Sequence, residues 1–252
     1  MALYDGIGVT YSTTRRADPR IARAVRRAIG RARSLVNVGA GAGSYEPPDV
    51  PTVAVEPSRV MIDQRRDGSA PVVQARAEQL PFADGTFDVA LASLTIHHWS
   101  DPAAGVAELR RVSARQVVLT WDPERVADSF WFAEEYLPET SQRERDLPTA
   151  GPIAQMLGAG TESRIVAIPA DCTDGFYAAY WARPEAYLDP EVRAGISALA
   201  LTDPALVDRA VRQLRADLES GAWDRRHGQL RTMQSLDLGY RILVAGERGD
   251  EG

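Results

Sequence analysis

Leu35-Val36-Asn37-Val38-Gly39-Ala40-Gly41-Ala42-Gly43-Ser44 is the stretch on which the fold turns. A short, mostly apolar run passes straight into a glycine-rich turn. Such a run suits a strand buried on both faces. The glycines permit positive φ and let a ligand lie against the backbone, where a Cβ would intrude. The spacing is G-x-G-x-G, and Ser44 stands where the dinucleotide fingerprint needs its last glycine or alanine. An NAD(P)-dependent oxidoreductase is therefore disfavoured. The chain contains no Lys, which excludes a phosphate-binding P-loop.

Further short apolar runs follow at 53–55, 72–74, 89–92 and 117–121, with two more at 164–168 and 241–245. Helical periodicity separates several of them, and strands alternating with helices indicate βαβ units. Asp-Pro pairs mark helix starts, because Asp can accept from the first-turn N–H groups and Pro at the next position removes no donor the helix needs. After Asp18-Pro19, the stripe Ile21, Ala24, Val25, Ala28 and Ile29 predicts a helix that stops at Gly30. After Asp101-Pro102, Val106, Leu109 and Val112 turn inward. Asp189-Pro190 and Asp203-Pro204 open two later helices, the second with Leu206, Ala210, Leu214 and Leu218 on one stripe and its close at Gly221. The expected fold is α/β, a doubly wound, mostly parallel seven-stranded sheet with a helical substrate-cover insertion. One domain spans 1–252. Within it, 1–34 form an N-terminal lead and helix, 35–169 a ligand-binding core, 170–238 the cover, and 239–252 the last strand and tail.

Composition narrows the function classes. With 29 Arg against 35 Asp and Glu, the net charge of −6 argues against a general nucleic-acid or membrane-surface protein. A lysine-free, arginine-rich chain reads as genome composition before it reads as an anion site. Cys172 is the single cysteine, so neither an intrachain disulfide nor a cysteine metal cluster is possible. The first residues lack the pattern of a signal peptide, and no apolar run approaches bilayer length. The expectation is a cytoplasmic protein acting on a small molecule. No metal site is expected, because His227 has no cysteine or spaced carboxylates around it.

The second predicted strand ends at Val55-Glu56. An acid at that position can accept from both hydroxyls of a ribose, which suggests a nucleoside ligand. Residues 35–122 also carry an ordered series of motifs. Val36-Asn37-Val38-Gly39-Ala40-Gly41-Ala42-Gly43 is followed by Val53-Ala54-Val55-Glu56-Pro57-Ser58 and by Ala75-Arg76-Ala77-Glu78-Gln79-Leu80-Pro81-Phe82. Asp84-Gly85-Thr86-Phe87-Asp88-Val89, His97-His98-Trp99 and Leu109-Arg110-Arg111-Val112 complete it. This series resembles the core of class I S-adenosylmethionine (SAM) dependent methyltransferases, in the small-molecule branch similar to ubiquinone and menaquinone methyltransferases.

That resemblance implies SAM as cofactor and roles at matching positions. Gly39, Ala40 and Gly41 should pass under the methionine and ribose portions, and Glu56 should hold the ribose. Pro57 and Met61 should lie beside the adenine, with the Ala77 backbone and Glu78 reading its edge and Ser93 facing the methionine end. Tyr11, Arg15 and Arg16 resemble a lead that folds over the cofactor, with Tyr11 and Arg16 as candidates for it. Two positions depart from the family pattern. Asn37 replaces a common Asp, and Arg76 stands where relatives carry an acceptor for the adenine amino group, a bond Arg cannot make.

For the chemistry, His97 and His98 fall beyond the fourth predicted strand, where open α/β sheets bind ligands. His97 is the candidate base for a phenol or hydroxyl acceptor; the alternative is that both histidines orient the loop. Being adjacent, only one is expected to face the cleft. Asp174 and Glu185 read as surface or capping groups. Aromatics cluster at Trp121, Phe130 to Tyr136, and Phe176 to Tyr187. Such a cluster serves as cover core or as pocket wall, and Trp131, Tyr177 and Trp181 are the candidate substrate walls. The expected function is methyl transfer to a small organic acceptor, in bacterial secondary metabolism or cofactor biosynthesis. The alternative is a SAM-binding protein of the same fold, a cyclase or a ligand sensor, that transfers no methyl group.

Overall fold

The computed structural model describes residues 15–144 and 146–246. Its strands are β1 (Leu35–Val38), β2 (Thr52–Val55), β3 (Val72–Val73), β4 (Phe87–Ser93), β5 (Ser113–Trp121), β6 (Glu162–Ile165), β7 (Ile168–Pro169), β8 (Ser235–Leu236) and β9 (Tyr240–Gly246). Seven of them form one sheet in the order β3-β2-β1-β4-β5-β9-β6. The first five run parallel, and β9 lies antiparallel between β5 and β6. The chain starts in the middle at β1, winds outward to β3, then returns to β4 on the other side. That reversal opens a crevice at the carboxyl ends of β1 and β4, where doubly wound sheets bind ligands.

All four β1 residues are buried, which explains the mostly apolar run. Leu35, Leu91, Val117 and Leu119 face one layer, which includes Ile21, Val25, Ala28 and Ile29 of α1 (Pro19–Ile29). Val36, Val38, Ala90, Ala92 and Val118 face the other, which includes Val106, Leu109 and Val112. A short helix, α2 (Arg59–Asp63), follows β2, and α3 (Pro102–Val112) joins β4 to β5. Asp18 caps α1 by accepting from Arg20 N, and Asp101 caps α3 by accepting from Ala104 N. Both Asp-Pro helix starts lie where the sequence put them.

The strand expected at 164–168 is divided. Glu162–Ile165 pairs with β9, whereas Ile168–Pro169 pairs with Ser235–Leu236 in a separate two-stranded sheet. The remaining helices are α4 (Pro123–Ser129), α5 (Pro138–Glu144), α6 (Ala150–Leu157), α7 (Pro190–Ala194), α8 (Ser197–Ala200), α9 (Pro204–Glu219) and α10 (Ala222–His227). The helical cover draws on two stretches of chain: Phe130, Trp131, Phe132 and Tyr136 from before β6 pack with Tyr177, Trp181, Tyr187 and Trp223 from after β7. In α9 the buried stripe is Val207, Ala210, Val211 and Leu214, with Leu206 and Leu218 only partly covered. A strict four-residue repeat drifts about 40° around the helix at each step, so the expected stripe leaves the packed face at both ends. Among the described residues, no helix is long and apolar enough to cross a membrane.

Candidate functional site

The glycine turn after β1 is tight because its backbone bonds leave little room. Gly39 N and Ala40 N both donate to Val55 O, at 2.9 and 3.0 Å. Gly39 has φ +69°, and a Cβ there would stand 2.0 Å from Thr95 Oγ1. Gly41, at φ +52°, directs its N–H to Glu56 Oε2 at 2.8 Å. Ser58 N donates to the other carboxylate oxygen at 2.9 Å. Glu56, only 5% exposed at the end of β2, is thereby oriented by two backbone donors. A carboxylate can accept about four hydrogen bonds, enough for a diol as well.

Around this turn lies a cavity of about 510 Å³. Gly39, Ala40, Gly41, Glu56, Pro57, Met61, Ala77, Glu78 and Ser93 all line it. Glu78 Oε1 accepts from Ser100 N, Ser100 Oγ and Asp101 N, so this carboxylate also ties down the loop before α3. Arg76 lines the cavity too, with its Nη2 donating to Ser100 Oγ at 3.0 Å. Arg16 is exposed and is not among the lining residues, contrary to expectation, whereas its neighbour Arg15 is. The reason is an anchor on Arg15: its Nε donates to Asp174 Oδ1 at 2.6 Å, and Tyr45 OH donates to Asp174 Oδ2 at 2.6 Å. Asp174 is fully buried, which corrects its reading as a surface or capping group. Glu185 is half exposed and paired with Arg231. Tyr11 lies outside the described residues.

Asn37 clarifies the departure from Asp. Its Nδ2 donates to Glu46 Oε1 at 3.1 Å, and Glu46 pairs with Arg65 at 2.7 Å. Arg65 in turn donates to Gly41 O at 3.1 Å, so the ion pair braces the glycine turn from behind. Among the described residues, Asn37 Oδ1 and Ser93 Oγ are buried without a hydrogen-bond partner, and both residues line the cavity. Buried acceptors left unpartnered are costly and call for a ligand donor.

A second cavity, of about 220 Å³, adjoins the first; Arg15, Leu94 and His98 line both. Leu94, just past β4, holds φ +52°, an uncommon conformation for a branched residue and one that clusters at ligand sites. His97 and His98 occupy a 3-10 turn and both border the second cavity, so the expectation that only one faces the cleft fails. Their ring centroids lie 3.6 Å apart, and that of His97 lies 4.1 Å from Trp121. Burial, then His98 and Arg15, hold His97 well below the usual imidazole range. Burial, then Arg15, lower His98 to about 4. Both rings are neutral near pH 7.

Of the three expected wall residues, only Tyr177 lines the second cavity. Trp131 and Trp181 are core instead, being 3% and 0% exposed. Their indole N–H groups are satisfied by backbone, Trp131 Nε1 donating to Trp181 O at 2.8 Å and Trp181 Nε1 to Ile168 O at 3.1 Å. Sequence reasoning missed Trp121, Tyr240 and Phe176 as walls, and Glu144 at the end of α5. Trp121 and Tyr240 face each other in the antiparallel register of β5 and β9, which only the strand direction reveals. It also missed Trp99, whose ring packs against Gly105: a Cβ there would stand 2.3 Å from Trp99 Cε3. A glycine inside a helix was the available signal.

Comparison with known proteins agrees with this geometry. A family described as a methyltransferase domain matches residues 36–119. The crystal structure of a "Putative methyltransferase from antibiotic biosynthesis pathway" from Anabaena variabilis ATCC 29413 is 32% identical to this chain. It covers 93% of this chain and 99% of its own, with a TM-score of 0.86. The YcgJ protein of Bacillus subtilis, 18% identical, has the same fold at a TM-score of 0.52, covering 91% of this chain and 99% of its own. A local match to the "Uncharacterized protein YafE" of Escherichia coli (strain K12) is 44% identical over 39 residues, 16% of this chain and 19% of that protein.

Proposed function

Since this chain belongs to the class I SAM-dependent methyltransferases and uses SAM as its cofactor, we propose that it transfers the methyl group to a small organic acceptor held in the second cavity. The observation that carries this reading is the junction of the two cavities at Arg15, Leu94 and His98. The first cavity fits the cofactor on features of its own. Asn37 Oδ1 and Ser93 Oγ, which line it without a hydrogen-bond partner among the described residues, suit the α-ammonium of the methionine end. Gly39, Ala40 and Gly41 would underlie the methionine and ribose, with Glu56 on the ribose hydroxyls. Pro57, Met61, Ala77 and Glu78 would flank the adenine, and Arg15 takes the place expected of Arg16.

When bound, the cofactor supplies an electrophilic methyl group on a sulfonium. The chain's contribution is then to hold the acceptor in line with that group and to exclude water, and positioning of this kind can supply much of the barrier reduction. Neutral His97 and His98 flank the acceptor space, where an imidazole nitrogen can accept a hydrogen bond from a hydroxyl acceptor, while the lowered pKa of His97 makes it a weak base for removing the proton outright. The relative from the antibiotic pathway supports placing the acceptor among bacterial secondary metabolites, and the composition supports action in the cytoplasm. The test is incubation with SAM carrying an isotopically labelled methyl group and a panel of small phenols, amines and acids. Label in a small-molecule product is the expected result. Label that stays on bound SAM for every acceptor would favour the non-transferring alternative.

A further inference from the structure

The two cavities are built from different parts of the chain. Among the described residues, nothing beyond Ser100 lines the cofactor cavity, whereas most of the acceptor cavity, from Trp121 to Tyr240, comes from later in the sequence. One side chain of the cover crosses that division. Asp174 lies in the turn after β7, is fully buried and lines neither cavity. Its Oδ1 accepts from Arg15 Nε and its Oδ2 from Tyr45 OH, each at 2.6 Å, and both donors line the cofactor cavity. Burial, then the Asp174 charge, hold the Tyr45 phenol well above its usual range, so it stays a donor. Tyr45 ends the glycine turn at φ +66°, a conformation that a bulky residue keeps only where its surroundings over-determine it. Two and three residues beyond Asp174, Phe176 and Tyr177 wall the acceptor cavity.

We propose that Asp174 is a positioning residue that couples the two cavities; this rests on the methyl-transfer reading above. A cofactor seated against Arg15 and Tyr45 limits the motion of both side chains. Asp174, bonded to each, passes that restraint to the segment that carries Phe176 and Tyr177. The acceptor walls are therefore held more firmly in the loaded protein than in the empty one. Restraint of this kind couples two sites without a large change of shape. Because such coupling is reciprocal, an acceptor in the second cavity also tightens cofactor binding.

The experiment is hydrogen–deuterium exchange of the full chain, with and without saturating S-adenosylhomocysteine, comparing amides of 173–181 with those of 206–214 in α9. Exchange over 173–181 should slow about fivefold or more, with that over 206–214 little changed. A carboxylate with only a structural role would give no such ligand-dependent difference in the unaltered protein. Asp174→Asn, measured at saturating ligand, should abolish the selective slowing. Loss of one charge from a buried ion pair can prevent folding. In that case Tyr45→Phe, which removes one of the two tethers, should reduce the slowing. Equal slowing of both segments, no slowing over 173–181, or undiminished slowing in a folded variant overturns the coupling. Failure of S-adenosylhomocysteine to bind at all would instead overturn the methyl-transfer reading beneath it.

Discussion

At the scale of single residues, the cofactor side of the site is local chemistry and the acceptor side is not. Gly39, Gly41 and Glu56 lie within one turn and one strand end, and Glu56 is fixed by N–H groups from that same stretch. They were legible because a short motif contains both the constraint and the group it constrains. The Arg15, Tyr45 and Asp174 cluster joins residues up to 159 apart in sequence, so no local pattern announces it. The histidine pair has a measurable consequence. Both folded pKa values are lowered, so below the unfolded value of about 6.5 the unfolded chain binds protons that the folded chain refuses. Stability from this pair is fully present above pH 6.5 and is lost as pH falls toward 4. Thermal unfolding should therefore show a steeper loss of Tm between pH 6.5 and 4.5 in the unaltered protein than in a His97→Gln/His98→Gln variant. Parallel profiles would show that the rings carry no such linkage.

At the scale of elements, the strands were legible because parallel strands covered on both faces are mostly apolar, as the buried runs Val89–Ala92 in β4 and Val117–Leu119 in β5 are. The Asp-Pro helix starts were legible because capping is a local hydrogen bond. The face of a helix is less so: α9 offered two overlapping apolar stripes, and packing against the cover selected the one through Val207 and Leu214. Leu214 is fully buried whereas Leu218 is only partly covered, although the sequence set them on one stripe. Leu214→Ala should cost about 2–5 kcal/mol by urea denaturation, and Leu218→Ala under about 1 kcal/mol. Equal costs would contradict the packed face described for α9. The same ambiguity explains Trp131 and Trp181. An aromatic at helical spacing signals burial, and nothing in the spacing tells a protein core from a ligand wall.

At the scale of the whole molecule, the sheet brings distant parts of the chain to one end. The reversal between β1 and β4 opens the cofactor cavity, and the antiparallel insertion of β9 beside β5 sets Tyr240 against Trp121 at the same edge. The cover, drawn from both sides of β6, contributes Phe176 and Tyr177 to the second cavity at that edge. On the reading proposed above, a methyl donor and an acceptor would meet across Leu94, where the two cavities join. This architecture depends first on the cofactor site being real, and Glu56 is its anchor. The direct measurement is the affinity of S-adenosylhomocysteine for the unaltered protein and for Glu56→Ala, with circular dichroism confirming that both are folded. Loss of hydrogen bonds from two ribose hydroxyls to a carboxylate should weaken binding by about a hundredfold or more. Unchanged affinity in a folded Glu56→Ala protein would contradict it.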